Sequence, residues 1–231
     1  AKLPIYGLLT SAFFPKQWRG VVMISLYFAG ILCGILYALI LKMTKFKGEP
    51  VPFVMELPNY RLPSAKSVGQ LIWEKAKGFI QKAFTIIFAA TLIVWFLQNF
   101  DAGLHLVTST DQSLLAQIGS LVAPLFAPLG FGDWRVSTAL ITGFMAKESV
   151  VSTLTVLLGG KTALLTTLFT PFTAYVFLIF TLLYTPCVAA VATVRREMGT
   201  VRTAAGIALL QCVTAWIVAF IVHGIGMLFG L

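Results

Sequence analysis

Charge is scarce in this chain: only 11% of its 231 residues are Asp, Glu, Lys or Arg, against about 25% in soluble domains. Acidic residues are scarcest, at 8. Three cysteines, in no paired spacing, exclude a disulfide-stapled secreted scaffold and a multi-cysteine zinc site. There is no His-Glu-x-x-His and no Gly-x-Ser-x-Gly, so an intramembrane hydrolase has no visible nucleophile and base, and no enzyme activity is expected of these residues. Gly159-Gly160-Lys161-Thr162 imitates the end of a phosphate-binding loop, but the required first glycine falls on Thr155. No basic, short apolar, cleavable leader opens the chain, which starts at Ala1 and reads as a fragment.

What is abundant is apolar: 58% of positions are hydrophobic and the mean hydropathy is +0.92. That excludes disorder and identifies a membrane protein. The net charge of +9 argues against nucleic-acid binding here, because the basic residues cluster between apolar spans instead of forming a phosphate-binding face.

A membrane-crossing helix needs about 20 apolar residues. Residues 1–20 read as the end of a membrane segment, and Val21 to Leu41 is the cleanest span. It carries Gly30-x-x-x-Gly34 and Ala38, a ridge for close helix approach. Residues 42–82 hold Lys42, Lys45, Lys47, Arg61, Lys66, Lys75, Lys77 and Lys82, which the positive-inside rule places in the cytoplasm. Pro50, Pro52, Pro58 and Pro63 make its first part an extended strap. After Ser64, apolar residues at Val68, Leu71, Ile72, Ala76, Phe79 and Ile80 have the spacing of an amphipathic helix on the inner surface. It leads into residues 83–231, a gate-type membrane region opening with the span Ala83 to Phe100. Thr162 to Val194 and Thr203 to Leu231 should also span. With Ala83 to Phe100 ending outside and the span before Arg195 and Arg196 ending inside, Asp101 to Pro171 must cross an even number of times. Either Gln112 to Gly132 and Val136 to Leu158 both cross, or the first lies at the outer surface and the second dips in and returns. The pattern leaves both open. The expected fold is an all-α polytopic membrane helix bundle with broken or re-entrant gate helices and an amphipathic interfacial helix.

Two segments carry chemistry. Lys147 and Glu148 lie at membrane depth, where a charge costs about 2.5–3.5 kcal/mol on insertion scales. Adjacent helical residues do not face one another, so the pair requires a break or partners on other helices. Thr138, Thr142, Met145, Ser149 and Ser152 recur at steps of four and three beside Glu148, a face of oxygen and sulfur groups able to line an ion path. The second segment is Tyr184-Thr185-Pro186-Cys187. Pro186 has no N–H, which leaves the Leu182 carbonyl without its helical partner beside the Thr185 hydroxyl, the Tyr184 phenol and the Cys187 thiol. Unwound carbonyls at mid-membrane bind ions in transporters, and a thiol shifts preference to borderline or soft metals. Cys33 and Cys212 read as small core residues. His105 and His223 read as solvated or structural, with cation attraction as the alternative.

Ala1-Lys-Leu-Pro-Ile-Tyr6, Phe53-Val-Met-Glu-Leu-Pro-Asn-Tyr-Arg-Leu-Pro63, Ala146-Lys-Glu-Ser-Val-Val151 and Tyr184-Thr-Pro-Cys-Val-Ala189 together resemble the membrane domain of the ferrous-iron transport protein B (FeoB) family, in its second gate region. The resemblance implies a bacterial inner-membrane importer whose transported ion is Fe(II), with Cys187 and Glu148 as metal-contacting residues. It implies no cofactor in this chain, with GTP and Mg confined to an N-terminal GTP-binding domain. It also implies a first gate repeat, small cytoplasmic Feo partners and a homo-oligomer as partners beyond the lipid bilayer. Two alternatives remain. One is a gate-domain transporter of nucleosides or another small solute, against which the interrupted segments lack Asn and Gln; the other is a membrane scaffold, which leaves Lys147 and Glu148 unexplained.

Overall fold

The computed structural model describes residues 2–44, 62–107, 109–184 and 187–230. Pro50, Pro52 and Pro58 of the strap, and Thr185 and Pro186, lie outside the described residues. Ten α-helices are described: α1 (Leu3–Phe13), α2 (Arg19–Thr44), α3 (Ala65–Asn99), α4 (Leu114–Phe126), α5 (Trp134–Met145), α6 (Ser149–Leu157), α7 (Leu165–Leu168), α8 (Pro171–Leu183), α9 (Val188–Met198) and α10 (Val201–Leu228). Among the described residues there is no strand beyond one bridge between Phe100 and Leu106. Arg19–Thr44, Pro171–Met198 and Val201–Leu228 are long and apolar enough to cross a membrane, and α4 with α5 forms a bent pair that would make a fourth span. The chain is an all-α membrane bundle.

It divides into two units, residues 1–30 with 86–231, and Ile31–Thr85. The smaller unit holds the distal part of α2 and the start of α3. Its large apolar residues, among them Ile35, Met43, Ile72 and Trp73, are exposed, as lipid-facing residues are. α3 runs unbroken over 35 residues, joining the amphipathic stretch and the following apolar stretch in one helix.

The larger unit is built around α8. This helix is apolar on every side, so it can be buried on every side, and Ala174 and the run from Val176 to Thr181 are indeed buried. A full capping box at Thr170 and Thr173, followed by Pro171, sets its start. Phe177 meets Phe131 edge-on at 5.3 Å, Phe169 lies 5.1 Å from Phe177, and Phe126 lies 5.4 Å from Phe180. Within a bilayer such aromatic contacts stabilise by packing, since lipid tails are as apolar as the core. α10, capped by Thr200, is tied to the end of α4 by the Trp216 indole N–H, which donates to the Leu125 carbonyl at 2.9 Å. That occupies one of the carbonyls a helix end leaves open.

The segment read as one long span, Thr162 to Val194, is divided among α7, α8 and α9. Thr170-Pro171 restarts the helix at one break. The other leaves Tyr184 extended, with φ −65° and ψ 165°. Of the two arrangements open for Val136 to Leu158, the structure has the returning one. α4 and its following turn meet α5 at 104°, and α5 and α6 then fold back on each other. The Thr142 and Thr153 hydroxyls, 11 residues apart in sequence, are 2.9 Å apart, where a straight helix would separate them by about 16 Å.

Candidate functional site: two interrupted segments meeting inside the bundle

The hairpin tip is Ala146-Lys147-Glu148. α5 stops because Ala146 is extended, at φ −146° and ψ 127°, and α6 restarts at Ser149. The close return depends on Gly143: a Cβ there would meet Val150 Cγ2 at 2.2 Å and the Tyr184 hydroxyl at 2.7 Å. Gly143 therefore admits both the returning helix and the end of α8.

Lys147 resolves the problem of its own burial through a neighbouring helix. Its side chain is 6% exposed. The ammonium donates to the Thr181 carbonyl at 3.3 Å and the Tyr184 carbonyl at 3.2 Å, and lies 4.3 Å from the centre of the Tyr184 ring. Charged hydrogen bonds of this kind, reinforced by the ring face, offset desolvation of the ammonium. Among the described residues no ion pair joins it to Glu148. Lys2 does the same from the other side, donating to the Leu182 carbonyl. The expectation that the carbonyls at the α8 break are free to bind an ion is therefore corrected. They are the backbone acceptors that a helix end exposes, and two lysine ammoniums already take them.

Glu148 and Cys187 come together. Both line one cavity of about 450 Å³, with Lys2, Lys147, Tyr184 and Gln211 also in its wall. Glu148 is exposed and Cys187 half-buried. Across the hairpin tip, Met145 and Ala146 also face a second cavity of about 180 Å³, which takes in Thr142, Ser149 and Ser152. So the hydroxyl face and the Glu148–Cys187 pair lie on two sides of one tip. The first cavity carries two ammoniums and one carboxylate; among the described residues no formally charged side chain lines the second. Among the described residues no three His, Cys, Asp or Glu side chains gather as a metal centre.

Four contributors escaped the sequence reading: Lys2, Gln211, Gln98 and Thr153. Lys2 and Gln211 had a signal, each being a polar residue beside or inside an apolar run. Gln98 and Thr153 had none, because only the chain's return brings them to the wall. Cys33 and Cys212 are half-buried, short of a full core position. His223 stacks on Phe172 at 6.0 Å, and His105 lies 3.6 Å from the Asp101 carboxylate on the surface.

Residues 80–201, more than half of the chain, match the family model described as Gate: nucleoside recognition. The chain belongs to the Gate family. Within it, residues 23–75 also match the model of the ferrous iron transport protein B C terminus. This Gate-family chain is 40% identical, over 99% of its length, to the Fe(2+) transporter FeoB of Staphylococcus aureus strain MSSA476. It is 36% identical over 96% of its length to the Fe(2+) transporter FeoB of Campylobacter jejuni. A third relative, 35% identical over 99% of the chain, is the Fe(2+) transport protein A/Fe(2+) transporter FeoB fusion protein of Porphyromonas gingivalis. The chain spans 35%, 39% and 33% of these curated relatives. No solved structure matches it. The family resemblance read from the motifs is borne out.

Proposed function

We propose that this chain is the C-terminal gate part of a ferrous-iron importer of the bacterial inner membrane, with residues 42–82 on the cytoplasmic side. Fe(II) passes where the tip of α5–α6 meets the end of α8. The observation that carries this reading is the shared cavity of Glu148 and Cys187, one hard and one soft donor brought together from two interrupted helices. The relatives support iron as cargo, since each bears Fe(2+) transport in its name. Domain organisation follows the same reading: 1–20 closes a membrane segment, 21–41 spans, 42–82 is strap and surface helix, and 83–231 is the gate region.

The donor set suits passage better than storage. A transport site must bind strongly enough to draw the ion in and weakly enough to release it. One carboxylate and one thiol meet that need, where a cage of several thiolates would not. Lys2 and Lys147 raise the cost of a dication here, so the Cys187 thiol has to give its proton to water as the metal arrives, leaving a thiolate that balances the local charge. Tyr184 stands at the end of α8, with Thr185 and Pro186 next in sequence as further path candidates, and Met145, Thr142, Ser149 and Ser152 line the adjoining wall. A GTP-binding domain and a first gate repeat elsewhere in the full-length protein complete the transporter, and a small FeoA-type partner fits the fusion in Porphyromonas gingivalis.

Anaerobic uptake of radioactive Fe(II) tests the reading, in cells lacking other iron importers and expressing the intact parent protein as wild type, Cys187→Ala or Glu148→Gln at matched membrane levels. Wild-type uptake with loss in either variant is the expected result. Undiminished uptake in both removes these residues from the path. Uptake of labelled uridine but not iron by the wild type would replace the cargo with a nucleoside.

A further inference from the structure

The Glu148–Cys187 cavity ends a series of four cavities linked pairwise by shared wall residues along α6, and a fifth, apolar cavity of about 820 Å³ also meets it at Met145 and Tyr184. Thr110, Val156 and Leu157 belong to both a cavity of about 640 Å³ at Asp111 and Arg135 and one of about 320 Å³ at Asn99 and Thr138. Gln98, Ser152 and Thr153 are common to the latter and the 180 Å³ cavity of the hydroxyl face. Met145 and Ala146 then join that cavity to the Glu148–Cys187 cavity. The series follows α6 back from Asp111 to the hairpin tip, and its smallest member is the hydroxyl-lined one.

One side chain along it is otherwise hard to explain. Thr138 is 1% exposed and its hydroxyl has no hydrogen-bond partner, although a buried hydroxyl without a partner costs about 1–3 kcal/mol. Gly119 makes the room for it, because a Cβ there would lie 2.1 Å from Thr138 Oγ1. Thr138 is a wall residue of the 320 Å³ cavity, next to the smallest one in the series, while its hydroxyl packs against Gly119.

We propose that the 180 Å³ cavity formed by Thr142, Met145, Ser149, Ser152, Thr153 and Gln98 is a transit site for a partly hydrated divalent cation, reached from the Asp111 end along α6. This rests on the reading of the chain as a cation transporter and adds a second site, upstream of Glu148 and Cys187. Its physical basis is threefold. Hydroxyl, amide and thioether groups replace part of a hydration shell without trapping the ion. Among the described residues no lysine lines this cavity, whereas Lys2 and Lys147 stand on the far side of the tip and repel a dication that has not yet met a thiolate. This cavity is also the smallest of the series, at about 180 Å³.

The test uses the intact parent protein in membranes, with Ser149→Cys or Ser152→Cys introduced singly and modification by a membrane-impermeant cationic methanethiosulfonate followed against the unmutated parent. Both new thiols should react from the outer side. Mn(II) at ten times its half-protecting concentration should slow the reaction about tenfold, as occupancy requires. Adding Thr142→Val should raise the half-protecting Mn(II) concentration about fivefold, the worth of one lost oxygen contact. Absence of reaction at both positions in protein that reaches the membrane overturns the route, and reaction that Mn(II) does not slow overturns the site. Fe(II) uptake by the unmutated parent separates the two readings. Normal uptake with unprotected thiols sinks only the transit site, while protected thiols without Fe(II) uptake sink only the iron assignment.

Discussion

α2 and the α5–α6 hairpin are both predominantly apolar and similar in length, yet one is a single unbroken helix and the other folds back on itself. α2 continues unbroken for 26 residues, and Leu26 is its one fully buried residue among those described. α5 and α6 bury Val136, Ala139, Leu140, Val150 and Leu154. The difference lies in a few residues. In α2, Gly34 has open space around it, and Gly30 makes ordinary contact with Leu182 at 3.4 Å. In the hairpin, Gly143 sits under Val150 and the Tyr184 hydroxyl, and the charge of Lys147 finds its acceptors on another helix. A continuous helix satisfies its own backbone and needs only lipid around it. An interrupted helix must have its open polar groups satisfied by neighbours, and the same neighbours give it a binding surface.

The largest effect that would break this comparison is expected at Lys147. Lys147→Met leaves the Thr181 and Tyr184 carbonyls without a charged donor, at a cost of about 1–3 kcal/mol for each. The unfolding temperature of the detergent-purified parent should fall sharply, with Lys147→Arg intermediate; an unchanged value would mean that the ammonium does not hold the tip to α8. Next comes the glycine pair. Gly143→Ala forces overlap with Val150 and Tyr184 and should destabilise by about 1–3 kcal/mol, whereas Gly34→Ala should stabilise α2 by up to about 1 kcal/mol. Equal effects at both sites would erase the distinction between unbroken helix and hairpin. Thr142→Val removes the hydrogen bond to Thr153 and sharpens the picture of the closed hairpin, with an expected loss of about 1 kcal/mol in denaturant unfolding; a gain in stability would show the pair to be dispensable.

The smallest effect is expected outside the bundle. The backbone N–H groups of His105 and Gly103, with the nearby His105 side chain, hold the Asp101 carboxyl below the usual carboxylate range. A depressed value means the loop gains stability above the ordinary Asp range, near pH 4, and loses it as pH falls through the lower folded value. Asp101→Asn should therefore remove the acid-side change in loop protection seen by hydrogen exchange while leaving iron uptake at pH 7 unaltered. A strong uptake defect would move Asp101 from loop brace to cation path.

Much of this site was legible before any fold was known. A lysine and a glutamate in an apolar stretch had to mark a break or a partner, and both are present at Ala146–Glu148. Of the periodic face Thr138, Thr142, Met145, Ser149 and Ser152, the last four share one wall, while Thr138 lines the neighbouring cavity. What was misread was the carbonyl set: a missing proline N–H frees an acceptor, but the pattern cannot say who takes it. Lys2 lies far along the chain from Leu182, and only packing of α1 against α8 joins them.

By itself the sequence determined an apolar, all-helical membrane chain and the residue types at its two chemistry-bearing interruptions, because hydropathy, proline and charge act locally on the backbone. Only the tertiary structure decided that the hairpin returns, that Lys2 and Lys147 take the open carbonyls, and that Glu148 and Cys187 share a cavity. Those outcomes depend on which distant groups become neighbours, and a buried charge accepts whichever nearby acceptors best offset its lost hydration.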